Sequence, residues 1–227
     1  MEYSIVLKGK FIERPNRFVA YVEVEGERKK CHVKNTGRCK ELFVPGAEVI
    51  LERAQNSDRK TKYSVVGVYK GDRLINIDSQ APNKVVYEAL RRDMILHGAT
   101  LIKPEFKYCS SRFDFYVEAR DRWLIEVKGV TLERGGAVFF PDAPTVRGVR
   151  HLNELAEAVS DGYKSCVIFV VQMEEADYFA PNEETHPQFG SALRAAQRAG
   201  VKVLAYRCRL TEKSMEIGTP VQVRLSV

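Results

Sequence analysis

Trp123-Leu124-Ile125-Glu126-Val127-Lys128 is the most informative segment of the amino-acid sequence. Its large and β-branched apolar residues favour a β-strand, in which successive side chains point to opposite faces. Leu124, Glu126 and Lys128 therefore share one face. The other face has Trp123, Ile125 and Val127. The segment predicts a strand that presents a carboxylate and an ammonium group side by side on one surface.

A second strand is predicted directly before this segment, from Arg112 to Glu118. If the turn between the strands comprises residues 119–121, residue 118 pairs with residue 122, and Asp114 stands opposite Glu126. Two carboxylates that face each other across a β-ladder repel unless a cation lies between them. Mg²⁺ is bound in proteins by one or two carboxylates together with water and phosphate oxygens. The pair therefore predicts a site for Mg²⁺ or Mn²⁺.

Two further residues are assigned to this site. Glu88, on a predicted helix that could cover this part of the sheet, is a candidate third metal ligand. Lys128 is placed to hold an attacking water or to balance phosphate charge in the transition state. We therefore predict Asp114, Glu126 and Lys128 as catalytic residues, with Glu88, Asp114 and Glu126 as metal ligands.

Helices and strands alternate in residues 83–227. Asn83 is a candidate N-cap for a helix that ends near His97, and Asp142 is expected to cap a second helix from about Thr145 to Ser160. The apolar face of the second helix is predicted to contain Val149, Leu152, Ala156 and Val159. The predicted strands are Leu101–Cys109, Arg112–Glu118, Trp123–Val130, Ser165–Gln172 and Val201–Arg207, and a third helix covers Pro187–Ala199. The order α-β-β-β-α-β-α-β predicts a C-terminal α/β/α sandwich with a mixed sheet.

Residues 1–82 have the pattern of a small β-barrel. Short β-rich runs such as Phe18–Val24, Val49–Leu51 and Lys62–Tyr69 alternate with turn residues. We expect an OB-type barrel, because its size fits and its exposed face and loops suit nucleic acids. An SH3-like barrel would have the same sequence pattern. Phe18 and Tyr21 are expected in the barrel core.

Positive charge is concentrated in this predicted barrel. The chain has a formal net charge of +6, and residues 1–82 contain 16 Lys and Arg against 11 Asp and Glu. Such an excess is expected of a domain that binds a polyanion. Contacts to nucleic acid are predicted for Asn35, Thr36, Arg38 and Lys40 in one loop, and for Arg147, Arg150 and His151 on the second helix.

The composition is that of an ordinary globular protein. No apolar run approaches the roughly 20 residues of a bilayer-spanning helix, and the N-terminus lacks the order of a signal peptide. Five cysteines without paired spacing fit reduced thiols. We expect a cytoplasmic protein without membrane contact, and the sequence leaves its oligomeric state open.

Several segments between residues 32 and 152 resemble the sugar fermentation stimulation protein A family. Asp114, followed by Glu126-Val127-Lys128 in the order of elements given above, also resembles the PD-(D/E)xK nuclease superfamily, although Phe113 stands where a proline is usual. The resemblance implies an OB-fold N-terminal domain, a nuclease-like C-terminal domain and DNA binding. The matching segments are His32–Leu42, Pro45-Gly46, Ser111–Phe115, Glu126–Leu132 and Phe140–Leu152.

The main functional hypothesis is Mg²⁺-dependent or Mn²⁺-dependent hydrolysis of a phosphodiester bond in nucleic acid. The principal alternative is a DNA-binding regulator, linked to sugar metabolism, whose nuclease-like core binds DNA without cutting it. A third alternative is a protein-interaction scaffold with a polar strand face. The residues alone leave open whether the nucleic acid is DNA or RNA and whether it is single- or double-stranded.

Overall fold

The computed structural model describes residues 1–35, 37–56 and 59–225, in which a β-barrel precedes a larger α/β unit. The strands of the barrel region are β1 (Val6–Asn16), β2 (Val19–Val24), β3 (Glu27–Val33), β4 (Glu48–Arg53), β5 (Tyr63–Lys70) and β6 (Arg73–Asn76). The α/β unit comprises α1 (Ala81–Arg91), β7 (Leu101–Tyr108), β8 (Ser111–Glu118), β9 (Arg122–Val130), β10 (Leu132–Arg134), β11 (Ala137–Phe140), α2 (Val146–Ser160), β12 (Lys164–Val171), β13 (Tyr178–Pro181), α3 (Pro187–Arg198), β14 (Lys202–Leu210), β15 (Met215–Pro220) and β16 (Gln222–Val223).

Five strands close the barrel. Strand β1 pairs with β2 and β4, β2 pairs with β3, and β4 pairs with β5, all in antiparallel orientation. Parallel pairing of β3 with β5 completes the ring, and β6 extends β5 as a hairpin. This closed five-stranded arrangement confirms the predicted OB-type barrel.

A six-stranded mixed sheet forms the centre of the α/β unit, in the order β15-β14-β12-β9-β8-β7. Strands β9, β12 and β14 are parallel, and the remaining neighbours are antiparallel. Helix α1 buries its apolar residues against one face, and α2 and α3 pack against the other. The predicted sandwich of helices on both sides of a mixed sheet is confirmed.

A second, four-stranded sheet was not predicted from the sequence. It has the order β10-β11-β13-β16, and its strands are only two to four residues long. Runs of this length carry too few residues for an alternating pattern to be distinguished from a loop.

Both predicted helix caps were wrong. Pro82 lies in the first turn of α1, so Asn83 is inside the helix and its side chain is free for another partner. The cap of α2 is Thr145, whose hydroxyl accepts a hydrogen bond from Gly148 N at 3.0 Å. Asp142 instead accepts a hydrogen bond from Arg38 N at 3.1 Å, between the two domains.

The barrel and the α/β unit pack directly on each other. One continuous apolar core spans both and includes Val68 and Ile75 of the barrel together with Val138 and Val171 of the α/β unit. Buried Gln172 adds polar contacts by donating hydrogen bonds to the Asn76 side chain and the Asp78 carbonyl. Across the described part of the chain, no helix combines the length and the apolar character needed to cross a membrane.

Candidate active site

The hairpin of β8 and β9 has the register predicted from its three-residue turn. Glu118 pairs with Arg122, and the ladder continues to Phe115 opposite Ile125. One further step in the same register brings Asp114 opposite Glu126. The ladder stops before this step, so the two acidic residues lie where the strands begin to separate.

At the end of the ladder, the Asp114 side chain accepts hydrogen bonds from its neighbours. Its Oδ2 accepts a hydrogen bond from Val127 N at 2.7 Å, and its Oδ1 accepts one from Asn83 Nδ2 of α1 at 2.7 Å. The alternation of side chains is irregular here, because residues 113 and 115 would share one face of a regular strand. Phe113 instead packs into the core on the α2 side of the sheet, whereas Phe115 packs on the α1 side. Burial and the negative charge of Glu126 raise the pKa of Asp114 to about 6.

Glu126 is a buried carboxylate that uses only one of its two oxygens for hydrogen bonds. The side chain belongs to a residue that is 3% exposed. Its Oε1 contacts Lys128 Nζ at 2.5 Å and His151 Nδ1 at 2.6 Å, whereas Oε2 is buried without any hydrogen-bond partner. Burial acts to raise the pKa of Glu126, but the hydrogen bond from His151 and the charge of Lys128 outweigh it, so the pKa is lowered.

The two carboxylates are held by different helices. We expected both side chains to leave the strands on one face, but Asp114 is bound through α1 and Glu126 through α2. They are nevertheless close enough for the charge of Glu126 to raise the pKa of Asp114. The irregular alternation of side chains in β8 at Asp114 explains why strict alternation did not predict this arrangement.

Two features of the carboxylate pair favour a small divalent cation. Glu126 Oε2 is an acceptor without a partner in a buried position, which a cation would satisfy, and a cation between the carboxylates would offset the repulsion that raises the pKa of Asp114. Among residues 1–35, 37–56 and 59–225, no three His, Cys, Asp or Glu side chains form a metal-binding cluster. A cation here would therefore complete its coordination with water, backbone or substrate oxygens, as Mg²⁺ commonly does.

The structure does not bring Glu88 to this pair. Its carboxylate forms an ion pair with the N-terminal amino group of Met1 at 2.7 Å. The residue of α1 that reaches Asp114 is Asn83. It lies five positions before Glu88, so the two side chains point in different directions around the helix axis. We remove Glu88 from the candidate metal ligands for this reason.

His151 is not available for the predicted contact with nucleic acid. Its ring is buried, with the residue 1% exposed, and it lies between Glu126 and Arg147, whose Nε donates a hydrogen bond to His151 Nε2 at 3.2 Å. Arg147 and Arg150 are exposed on α2, and their contact with nucleic acid remains a prediction.

The loop after β3 is held by an internal arginine clamp that the sequence did not reveal. Arg14 donates hydrogen bonds to the carbonyl oxygens of Asn35, Gly37 and Arg38, among others. The Asn35 side chain also bonds within the protein, to Ile77 O and Gly37 N. Thr36 lies outside the described residues, as do residues 57–58 and 226–227.

Arg38 and Lys40 are exposed on this clamped loop. They line a groove of about 730 Å³ that also includes Arg17 of the barrel and Ala143, close to the start of α2. The groove therefore extends from the positively charged loop to Ala143, in the segment that precedes α2.

The expectation that Phe18 and Tyr21 form the barrel core was wrong. Phe18 is 50% exposed, and Tyr21 is partly exposed on β2. The guanidinium groups of Arg17 and Arg28 lie over the rings of Phe18 and Tyr21, at 5.5 and 4.1 Å from the ring centroids. Cations interleaved with exposed aromatic rings make a surface suited to bases and phosphates.

Two family models together match most of the chain. Residues 12–77 match a model described as the SfsA N-terminal OB domain. Residues 80–214 match a model described as the sugar fermentation stimulation protein RE domain.

Similar proteins extend over the full length. A sugar fermentation stimulation protein homolog of Clostridium beijerinckii is 55% identical, with 99% of this chain and 100% of that protein aligned. A homolog of Ruminiclostridium cellulolyticum is 53% identical over the same shares. The solved structure of Pyrococcus furiosus SfsA in complex with Ca²⁺ superimposes with a TM-score of 0.90 at 27% identity, covering 99% of this chain and 98% of that one.

Proposed function

The chain belongs to the sugar fermentation stimulation protein family, and on this premise we propose that it is a nuclease that hydrolyses phosphodiester bonds of DNA with the help of Mg²⁺ or Mn²⁺. The observation that carries the proposal is the pair of half-buried Asp114 and buried Glu126, in which one oxygen of Glu126 has no partner and Lys128 lies alongside. The similar Pyrococcus furiosus protein is described as a complex with Ca²⁺, and Ca²⁺, like Mg²⁺, is bound by oxygen ligands.

Asp114 and Glu126 would hold the cation, which when bound supplies positive charge next to the scissile phosphate and lowers the pKa of a coordinated water. The protein's own groups have separate tasks. The hydrogen bonds from Val127 N and Asn83 fix the Asp114 carboxylate at the end of the ladder. Lys128, whose side chain is 15% exposed, holds the attacking water or stabilises the charge that develops on the phosphate.

Positive and aromatic surfaces of both domains would bind the nucleic acid. Arg38 and Lys40 are exposed on the clamped barrel loop, and Arg147 and Arg150 are exposed on α2. Contacts of this type to phosphates position a substrate without reading its sequence. The exposed ring of Phe18 adds a surface on which an unpaired base can stack.

A DNA-binding regulator without nuclease activity is the second candidate. The observation in its favour is that no third acidic or histidine ligand joins Asp114 and Glu126 within the described ranges. In such a protein, the same carboxylates would use a cation to bridge to a phosphate without hydrolysis.

A cleavage assay on the purified chain separates the two candidates. Single- and double-stranded DNA and RNA should be incubated with Mg²⁺, with Mn²⁺ or with a chelator, and the products resolved by length. We expect metal-dependent shortening of at least one DNA substrate, which the chelator abolishes. A protein that binds Mn²⁺ and DNA but cleaves none of these substrates would contradict the nuclease proposal and support the regulator.

A further inference from the structure

We infer that His151, fixed by Arg147, is a positioning residue that aims the free Oε2 of Glu126 at the cation of the proposed site. The inference rests on the proposed function, since it assigns a role to a group behind that site. It also replaces the prediction that His151 contacts nucleic acid.

The direction of the hydrogen bonds through His151 is fixed by Arg147. An arginine Nε–H can only donate, so His151 Nε2, at 3.2 Å, must be the acceptor. The proton of the neutral ring is then on Nδ1, which donates to Glu126 Oε1 at 2.6 Å. The ring of Phe113 packs against the imidazole with the centroids 5.7 Å apart and the planes at 68°, which limits rotation of the histidine.

These contacts give the two oxygens of Glu126 different roles. Oε1 accepts from both His151 and Lys128, so the carboxylate cannot rotate without losing two charge-assisted hydrogen bonds. Oε2 is left buried and without a partner. A buried acceptor of this kind is unfavourable by itself, and a divalent cation is the ligand class that would satisfy it.

A purely structural role for His151 predicts a different effect of its substitution on metal affinity. A histidine that only fills the core contributes to the free energy of unfolding, but it does not change how well the carboxylate binds a cation. Removing a group that hydrogen-bonds a metal ligand on the side away from the metal typically weakens metal affinity by about 10- to 100-fold. Affinity for the metal alone, without substrate, therefore distinguishes the two roles.

The test is calorimetric titration of Mn²⁺ into metal-free protein for wild type and three variants. His151→Leu, which keeps most of the volume but no donor, should weaken Mn²⁺ binding by about 10-fold or more. His151→Asn retains an N–H donor near the position of Nδ1, so its affinity should lie much closer to that of the wild type. His97→Leu, at an exposed position after α1, is the control and should bind Mn²⁺ like the wild type.

A second measurement uses the wild-type protein only and does not depend on the folding of any variant. Long-range ¹H–¹⁵N correlation spectra should show His151 as the neutral ring protonated on Nδ1. Protonation on Nε2, equal Mn²⁺ affinity of wild type and His151→Leu, or absence of Mn²⁺ binding by the wild type would each overturn the inference. A wild type that binds Mn²⁺ but cleaves no nucleic acid would instead contradict the proposed nuclease function and leave this inference standing.

Discussion

Burial and the nearby charge of Glu126 raise the pKa of Asp114 to about 6, close to the pH of ordinary assays. A proton and a metal ion compete for the same carboxylate, because only the ionised form is a ligand. The proton therefore occupies Asp114 increasingly as the pH falls below about 6.

Mn²⁺ binding should consequently depend on pH in a defined direction. We expect the affinity to be nearly constant above about pH 7 and to fall as the pH is lowered through 6, approaching about tenfold per pH unit if one proton is displaced. Titration calorimetry between pH 5 and 8 measures this dependence. An affinity that does not change between pH 5 and 7 would contradict the combination of a raised pKa and a metal-ligand role for Asp114.

Substitutions of Lys128 and Asp114 should separate catalysis from metal binding. Lys128 acts mainly on groups that develop charge in the transition state, so Lys128→Ala should lower the cleavage rate by on the order of 10²- to 10³-fold with little change in DNA affinity. Asp114→Ala should lose both cleavage and Mn²⁺ binding, because the ion loses a fixed oxygen ligand. Single-turnover rates, DNA titration and Mn²⁺ calorimetry provide the three readouts. If Lys128→Ala cuts as fast as the wild type, its assignment is wrong.

At the scale of the elements, the sequence predicted the strands of the site better than the helices. The register of β8 and β9 follows from a three-residue turn, which the sequence makes recognisable. The position of Asp114 in the sheet does not follow, because it depends on a hydrogen bond to Asn83 of α1. Asn83 was interpreted as a cap, although Pro82 before it is typical of the first turn of a helix.

The buried face of α2 was predicted only in part, for a related reason: Leu152 is in the core and Val149, Ala156 and Val159 pack against it as expected, but the buried polar residues were missed. Its buried residues include His151 and Glu154 beside Leu152 and Leu155. Apolar periodicity places polar residues on the solvent side, but a hydrogen-bonded polar side chain can be buried at little cost. Here, partners on other elements supply those bonds, so a single helix segment contains no signal for them.

The start of α2 gives a prediction at this scale. Thr145→Ala removes the hydroxyl that caps Gly148 N, and caps of this type stabilise a protein by about 1 kcal/mol. We expect a corresponding decrease in the free energy of unfolding, measured by denaturant titration. Thr145→Ser keeps the hydroxyl and should lose much less, and equal losses for Ala and Ser would show that the cap does not contribute.

At the scale of the whole molecule, the clamped barrel loop and the start of α2 form one surface. Asp142 accepts a hydrogen bond from Arg38 N across the domain boundary, and Arg14 holds the backbone of the loop from the barrel side. The exposed side chains of Arg38 and Lys40 therefore stand on a fixed backbone beside the α/β unit.

Replacing Arg38 and Lys40 by alanine should remove charge without disturbing the loop. If the two cations neutralise two phosphates of duplex DNA, the slope of log K against log salt should become shallower by about 2. The matched control is Arg209→Ala with Lys213→Ala, two exposed cations on β14 and on the turn that follows it. An equal change of slope in the control pair would exclude a specific role for the loop.

The most direct test of the proposed metal centre is anomalous diffraction from crystals of the wild-type protein soaked in Mn²⁺. We predict an anomalous peak bound by the carboxylates of Asp114 and Glu126, with Glu126 Oε2 as the ligand oxygen and Oε1 still bonded to His151 and Lys128. Absence of a peak at this pair, at a Mn²⁺ concentration that supports cleavage or saturates binding in solution, would contradict the account.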